Sequence, residues 1–97
     1  MAIKYRDAKS SLLQKGFRDE KRDHHYFFFY FEGRKTSAYT YFSYGSESQE
    51  VENNLLQTRA RQLKLDKSQQ VRDLFSCPLD YQEYVVILRQ KNIIDPN

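Results

Sequence analysis

The chain has one cysteine, Cys77, no tryptophan, two prolines and three glycines. A single cysteine excludes an intramolecular disulfide and points to a reducing compartment. No run of about 18 apolar residues is present, so no membrane-spanning helix is expected. Met1–Lys9 is polar and lacks the apolar core of a signal peptide. A cytoplasmic protein with no membrane partner is the expectation that follows. One cysteine and two histidines cannot supply a zinc set without distant carboxylates, so neither a metal nor a cofactor is expected.

A chain of 97 residues fits one domain, spanning residues 1–97. Charged residues make up 30% of it, and the mean hydropathy is −0.87. Aromatics nevertheless reach 15%, with eight tyrosines and seven phenylalanines, which argues against disorder. The net charge of +3 is unevenly spread. Residues 1–46 carry nine Lys/Arg against five Asp/Glu, and residues 47–97 carry seven against eight. The positive charge therefore accompanies the aromatic half, a combination suited to nucleic acid, where phosphates attract and bases stack. Small soluble domains also reach this charge by chance.

Residues 3–15 read as an amphipathic helix, with Tyr5, Ala8, Leu12 and Leu13 at helical spacing and Lys4, Arg6, Lys9 and Lys15 on the surface. Gly16 is placed to end it. Phe17 opens an extended segment to about Lys21, and the charged stretch Asp19–Asp23 reads as a turn. His24–Phe31 is the clearest strand, because aromatics favour pleated surfaces. Glu32-Gly33-Arg34 reads as a hairpin turn, and Lys35–Tyr44 as the next strand, broken by Gly45-Ser46. The remainder reads as helical. Ser46 with Gln49 predicts a capping box ahead of Val51, Leu55, Leu56, Ala60 and Leu63. Asp66 with Gln69 predicts a second, and Asp80 with Glu83 a third, ahead of Tyr84, Val85 and Leu88. Pro78 separates the last two helices. Cys77, just before it, reads as a small buried apolar group. Lys91-Asn92 reads as a stop, with Ile93-Ile94 tucking back. The order predicts an α+β fold: one helix, a three-stranded antiparallel sheet, then helices, an αβββα core with extra C-terminal helices.

Alternation divides the aromatic strand into two sets. His25, Phe27, Phe29 and Phe31 suit a core. His24, Tyr26, Phe28 and Tyr30 suit a wetter face. On the next strand Ala38, Thr40 and Phe42 separate in the same way from Tyr39 and Tyr41. If the two wet sets coincide, the resulting aromatic patch is too large to be idle. It would stack unpaired bases, form a dimer surface, or lie beneath the last helix.

Gly16-Phe17-Arg18, Asp23-His24-His25-Tyr26, Gly33-Arg34-Lys35, Ser43-Tyr44-Gly45 and Leu55–Leu65 together resemble the HicA-like (YcfA-like) toxin family. The similar core spans about residues 4–65, and residues 66–97 look like the C-terminal helical extension of a longer relative. The resemblance implies a fold like that of double-stranded-RNA-binding domains, metal-independent endoribonuclease (mRNA-interferase) activity, and neutralisation by a HicB-like antitoxin. It places the catalytic histidine at His24. The chain departs from the family pattern at Arg22, where glycine is usual, and at Tyr44, where a second histidine is common.

The chemistry of that role is direct. In RNA the 2′-hydroxyl can attack the adjacent phosphate, and a histidine can move the proton near neutral pH. Lys21, Arg22, Arg34 and Lys35 are the candidate phosphate contacts. Tyr26, Tyr39 and Tyr41 are the candidate base-stacking residues. Three readings stay open: a HicA-like ribonuclease, a non-catalytic RNA-binding module, and a protein-interaction domain or homodimer using the aromatic face.

Overall fold

The structure, a computed structural model, describes residues 2–45 and 47–94. Helix α1 (Tyr5–Gln14) leads into strands β1 (Phe17–Lys21), β2 (His25–Phe31) and β3 (Arg34–Phe42). Helices α2 (Leu56–Gln62), α3 (Ser68–Phe75) and α4 (Tyr81–Gln90) follow. The three strands form one antiparallel sheet with β2 in the centre. This is the α+β order read from the sequence, with four α-helices among the described residues.

All four helices pack against the same side of the sheet. Tyr5 of α1 and Phe75 of α3 meet Phe42, with ring centroids 4.8 and 5.8 Å apart. The Arg59 guanidinium of α2 lies 4.5 Å from the Phe42 ring. Tyr84 of α4 stacks on Phe17 and sits edge-on to Phe29. The last helix therefore does not cover Tyr26, Tyr39 and Tyr41, and that explanation of the aromatic patch is excluded. Tyr84 is fully buried, and its hydroxyl donates to the Leu63 carbonyl at 2.7 Å.

The turns follow local chemistry. Gly16 sits at φ +93°, and a Cβ there would come within 3.0 Å of the Phe29 ring and 3.1 Å of Tyr81. Glu32 and Gly33 have φ of +50° and +79° between the paired residues Phe31 and Arg34, the two left-handed positions of a tight I′ hairpin. Asp80 and Glu83 form the expected capping box, the Glu83 amide donating to the Asp80 carboxylate at 2.8 Å. Asn92 closes α4 at φ +60° while the Ile93 amide reaches back to the Leu88 carbonyl, a Schellman closure. Ile94 is then buried, as the tucked tail required.

Strand β3 carries an irregularity. Phe28 pairs with Tyr39 but Tyr30 pairs with Lys35, so three residues of β3 oppose one of β2. Thr36 bridges the gap: its hydroxyl donates to the Phe29 carbonyl at 2.7 Å and accepts from the Ala38 amide at 3.2 Å. The excess of two residues preserves the alternation, so Lys35 shares a face with Tyr39 and Tyr41.

Several expectations are corrected. Helix α1 begins at Tyr5, and Leu13 is 51% exposed while Lys9 and Lys15 are buried. Lys9 pairs with Glu47. The Lys15 ammonium donates to the Leu74 and Ser76 carbonyls at 2.9 and 2.6 Å, covering the C-terminal end of α3. Asp19, Glu20 and Lys21 belong to β1 and pair with Phe27, Tyr26 and His25, so the turn is confined to 22–24. His24 stands just before β2, and β3 ends at Phe42 rather than Tyr44. No helix forms at Val51. The first amides of α1, at Tyr5 and Arg6, instead donate to the Gln49 and Glu47 carbonyls at 2.8 and 3.1 Å and hold that segment against the start of the helix. The predicted cap Ser46 lies outside the described residues. The second capping box is one residue late: Gln70, not Gln69, reaches back to the Asp66 and Lys67 amides. Cys77 is exposed, because it lies in the bend that follows α3.

Removing the Tyr84 hydroxyl should leave the buried Leu63 carbonyl unpaired. Tyr84→Phe is expected to lower folding stability by about 1–3 kcal/mol in urea denaturation. A midpoint equal to wild type would contradict the assignment.

Candidate nucleic-acid interface

The side of the sheet away from the helices is an aromatic surface. Register places Tyr26 opposite Tyr41 and Phe28 opposite Tyr39. The Tyr26 and Phe28 rings lie 6.0 Å apart and nearly parallel at 16°, and Phe28 and Tyr39 are 5.5 Å apart at 25°. Tyr41 adjoins Tyr26 at 5.2 Å, and the His24 ring adjoins Tyr41 at 5.1 Å. Tyr30 extends the row beyond Phe28. These rings are half-buried or exposed, whereas Phe27 and Phe29, their sequence neighbours, are 1% and 0% exposed.

Cations are interleaved with the rings. The Arg18 guanidinium lies 4.2 Å from the Tyr30 centroid and the Lys35 ammonium 3.9 Å from Phe28. Arg22 lies 5.5 Å from Tyr26 and 5.6 Å from Phe28. One carboxylate sits among them. Glu20 accepts from Arg22 at 2.6 Å and pairs with Lys35 at 2.7 Å, with the Tyr30 hydroxyl at 3.4 Å. The hydrogen bond from Lys35, then that from Arg22, hold the Glu20 carboxyl below its usual pKa. Three donors thus converge on one oxyanion, an arrangement that a phosphate would also satisfy.

At one end of this face stands His24, its side chain 41% exposed. Its Nδ1 lies 3.4 Å from an Asp23 carboxylate oxygen, and its backbone amide donates to the other Asp23 oxygen at 3.1 Å. Tyr44 stabilises the turn from beneath. Its hydroxyl donates to the Arg22 carbonyl at 2.9 Å and approaches the His24 carbonyl at 3.3 Å, and its ring stacks on His25. His25 belongs to the other side of the sheet, where it meets Asp19 at 3.2 Å.

Beyond His24 and Tyr41 the surface drops into a cleft of about 250 Å³ between the end of the sheet and α2. Its floor is a polar network. Arg59, 5% exposed, donates to Thr40 at 3.0 Å and to the Tyr41 carbonyl at 2.6 Å, and lies 3.7 Å from Glu52. Glu52 also accepts from the Tyr5 hydroxyl at 2.6 Å and from Gln49 at 2.8 Å. Burial, followed by the hydrogen bond to Glu52, pushes Tyr5 up to about 12. Burial also acts to raise Glu52, but the bonds it receives and the Arg59 charge outweigh this and leave its pKa lowered.

The residues chosen from sequence divide between two sides. Tyr26, Tyr39, Tyr41, Arg22 and Lys35 come together with His24 on the open face. Lys21 pairs with His25, and Arg34 with Phe31 at the hairpin end, so alternation places both on the opposite side. Arg18 and Glu20 also belong to this face and are not among the sequence candidates: Arg18 lies in the extended segment that Phe17 opens, and Glu20 in the charged stretch that reads as a turn. Continuing the alternation of β1 from the buried Phe17 would have found them. Among the described residues, no three His, Cys, Asp or Glu side chains gather to hold a metal ion, and no helix is long and apolar enough to cross a membrane. No protein-family model, no curated protein and no solved structure matches the chain.

The Glu52 shift predicts a pH dependence. A carboxyl whose pKa is lower folded than unfolded contributes stability that is fully present above the unfolded pKa and is lost as pH falls through the folded one. Stability is therefore expected to drop as pH falls below the ordinary glutamate value of 4.5. Glu52→Gln should flatten that part of the profile. An unchanged slope in the variant would count against the network.

Proposed function

We propose that this chain is an RNA-binding protein of the HicA-like class that holds single-stranded RNA on its aromatic sheet face. One observation carries the reading: a contiguous row of rings, interleaved with Arg18, Arg22 and Lys35, is left uncovered by every helix. Unpaired bases stack on such rings regardless of sequence, and the cations follow the backbone. A paired duplex offers no free base faces, so this surface suits single strands better than double-stranded RNA. Arg18, Arg22 and Lys35 against Glu20 and Asp23 leave the face net positive, which favours a polyanion over a second copy of the same face.

RNA cleavage is the second reading, and the placement of His24 favours it. The imidazole stands half-exposed at the end of the row, beside Arg22, where a strand laid across the rings would bring a phosphate. An acid/base role there would make the protein a metal-independent endoribonuclease, with a HicB-like antitoxin as the partner that blocks the face. Position 44 is a tyrosine rather than a second imidazole, and its hydroxyl is engaged with the Arg22 and His24 carbonyls. His24 would have to serve both proton transfers or leave one to water.

Fluorescence anisotropy with short labelled RNA tests binding. The double variant Tyr39→Ala/Tyr41→Ala should stay folded and lose about 10-fold or more in affinity. Loss of a dimer with RNA affinity intact would instead assign the face to self-association. Glu20→Gln should tighten binding and steepen its salt dependence, because Arg22 and Lys35 are then released to phosphate. Three phosphate contacts on a single strand give a log–log slope of about −2. Weaker binding by Glu20→Gln would refute the competition between Glu20 and phosphate. For cleavage, His24→Ala should abolish product while leaving affinity within about twofold of wild type. Cleavage unchanged in that variant would remove the catalytic reading and leave the binding one.

A further inference from the structure

The cleft beside α2 is continuous with the aromatic face, because His24 and Tyr41 belong to both. We propose that it is a nucleobase-recognition pocket, which takes one base from a strand stacked on the sheet and reads that base's polar edge. The inference rests on the RNA-binding reading above and names the point at which that site would discriminate between bases.

Size, charge and lining chemistry converge on this occupant. The cleft measures about 250 Å³, below the roughly 300–1,000 Å³ of pockets that hold drug-sized ligands. That volume suits one ring system rather than an extended ligand. The floor is charge-balanced, with Arg59 Nη2 3.7 Å from a Glu52 oxygen. A phosphate entering here would gain little from Arg59 and would face the Glu52 carboxylate. A neutral heterocycle meets no such repulsion.

The walls offer what a base requires. His24 and Tyr41 stand 5.1 Å apart at an angle of 68°, so a base lying against one ring presents its edge toward the other. Leu55, 38% exposed, adds an apolar surface on the opposite side. Thr58 contributes a hydroxyl that can donate or accept, and Gln62 an amide. The Gln62 Oε1 accepts from Thr40 Oγ1 at 3.1 Å, which turns the amide nitrogen, a donor, to the remaining hydrogen-bonding role. Thr40 is itself fixed by Arg59. Gln62 is therefore held by the buried floor before any ligand arrives, which lowers the ordering cost of binding.

NMR titration with adenosine, guanosine, cytidine and uridine, each alone, tests the pocket without relying on the stacking face. At least one nucleoside should shift the Thr58 methyl and His24 ring signals, and inorganic phosphate should not. Thr58→Leu, at an exposed helical position, fills the cleft and should abolish those shifts. Gln62→Met removes the donor at similar volume. In wild type, affinities for four homopolymeric RNA octamers should spread by about tenfold, and in either variant by no more than about twofold, with affinity for the least favoured octamer retained. Absence of Thr58 shifts with every nucleoside overturns the pocket, as does a response to phosphate alone. Equal affinity for all four octamers with no nucleoside response refutes the pocket and leaves the stacking reading intact. Nucleoside shifts at Thr58 without octamer binding support the pocket and refute the stacking reading.

Discussion

The structure depends on the two-sidedness of strand β2. Six aromatic residues run consecutively from Tyr26 to Phe31, and the pleat sends them alternately to opposite sides. Phe27 and Phe29 become the buried centre on which Tyr84 of α4 closes, beside Phe42 of β3. Tyr26, Phe28 and Tyr30 are left facing away. A one-residue slip in register would exchange the two sets, burying hydroxyls without partners and exposing the core. Core and candidate interface are thus two expressions of one register.

Polar groups inside the fold support that arrangement by completing backbone ends. Lys15 covers the carbonyls at the end of α3. The segment containing Glu47 and Gln49 supplies acceptors to the start of α1. Arg59 joins α2 to the Tyr41 carbonyl of β3 and to Thr40. A buried helix end without such partners would be costly, so these cationic side chains sit inside a small domain for a structural reason. Arg59 has a second consequence, because the network that holds its terminal nitrogens also forms the floor of the cleft.

What was legible in the sequence was what depends on local chemistry. The alternation of β2, the left-handed hairpin at Glu32-Gly33, the Asp80–Glu83 cap and the Asn92 stop needed only near neighbours. Features set by distant partners were not legible. Lys9 and Lys15 look like surface lysines until Glu47 and the carbonyls of α3 arrive from far along the chain. The segment around Gln49 has the pattern of a helix start, but the amides of α1 claim its carbonyls. The side chosen by α4 is fixed by where Phe17 and Phe29 lie, not by its own amphipathic pattern. For the site, the tyrosines, Arg22 and Lys35 were readable from parity. Arg18 follows from the same alternation along β1, whereas the cleft depends on the docking of α2 against the end of the sheet.

The irregularity in β3 has a consequence for how this chain can change. Thr36, Ser37 and Ala38 together oppose a single residue of β2, an excess of two. Because two is even, the bulge lets the strand gain length while Lys35 and Tyr39 remain on one side. Loss of a single residue would leave two residues of β3 opposite Phe29, an ordinary bulge, and Lys35 would still face the way its partner Tyr30 does. The hairpin end and the tyrosine end of the strand are thus set by separate pairings, and a change of length between them is taken up at the bulge without turning over the surface on either side.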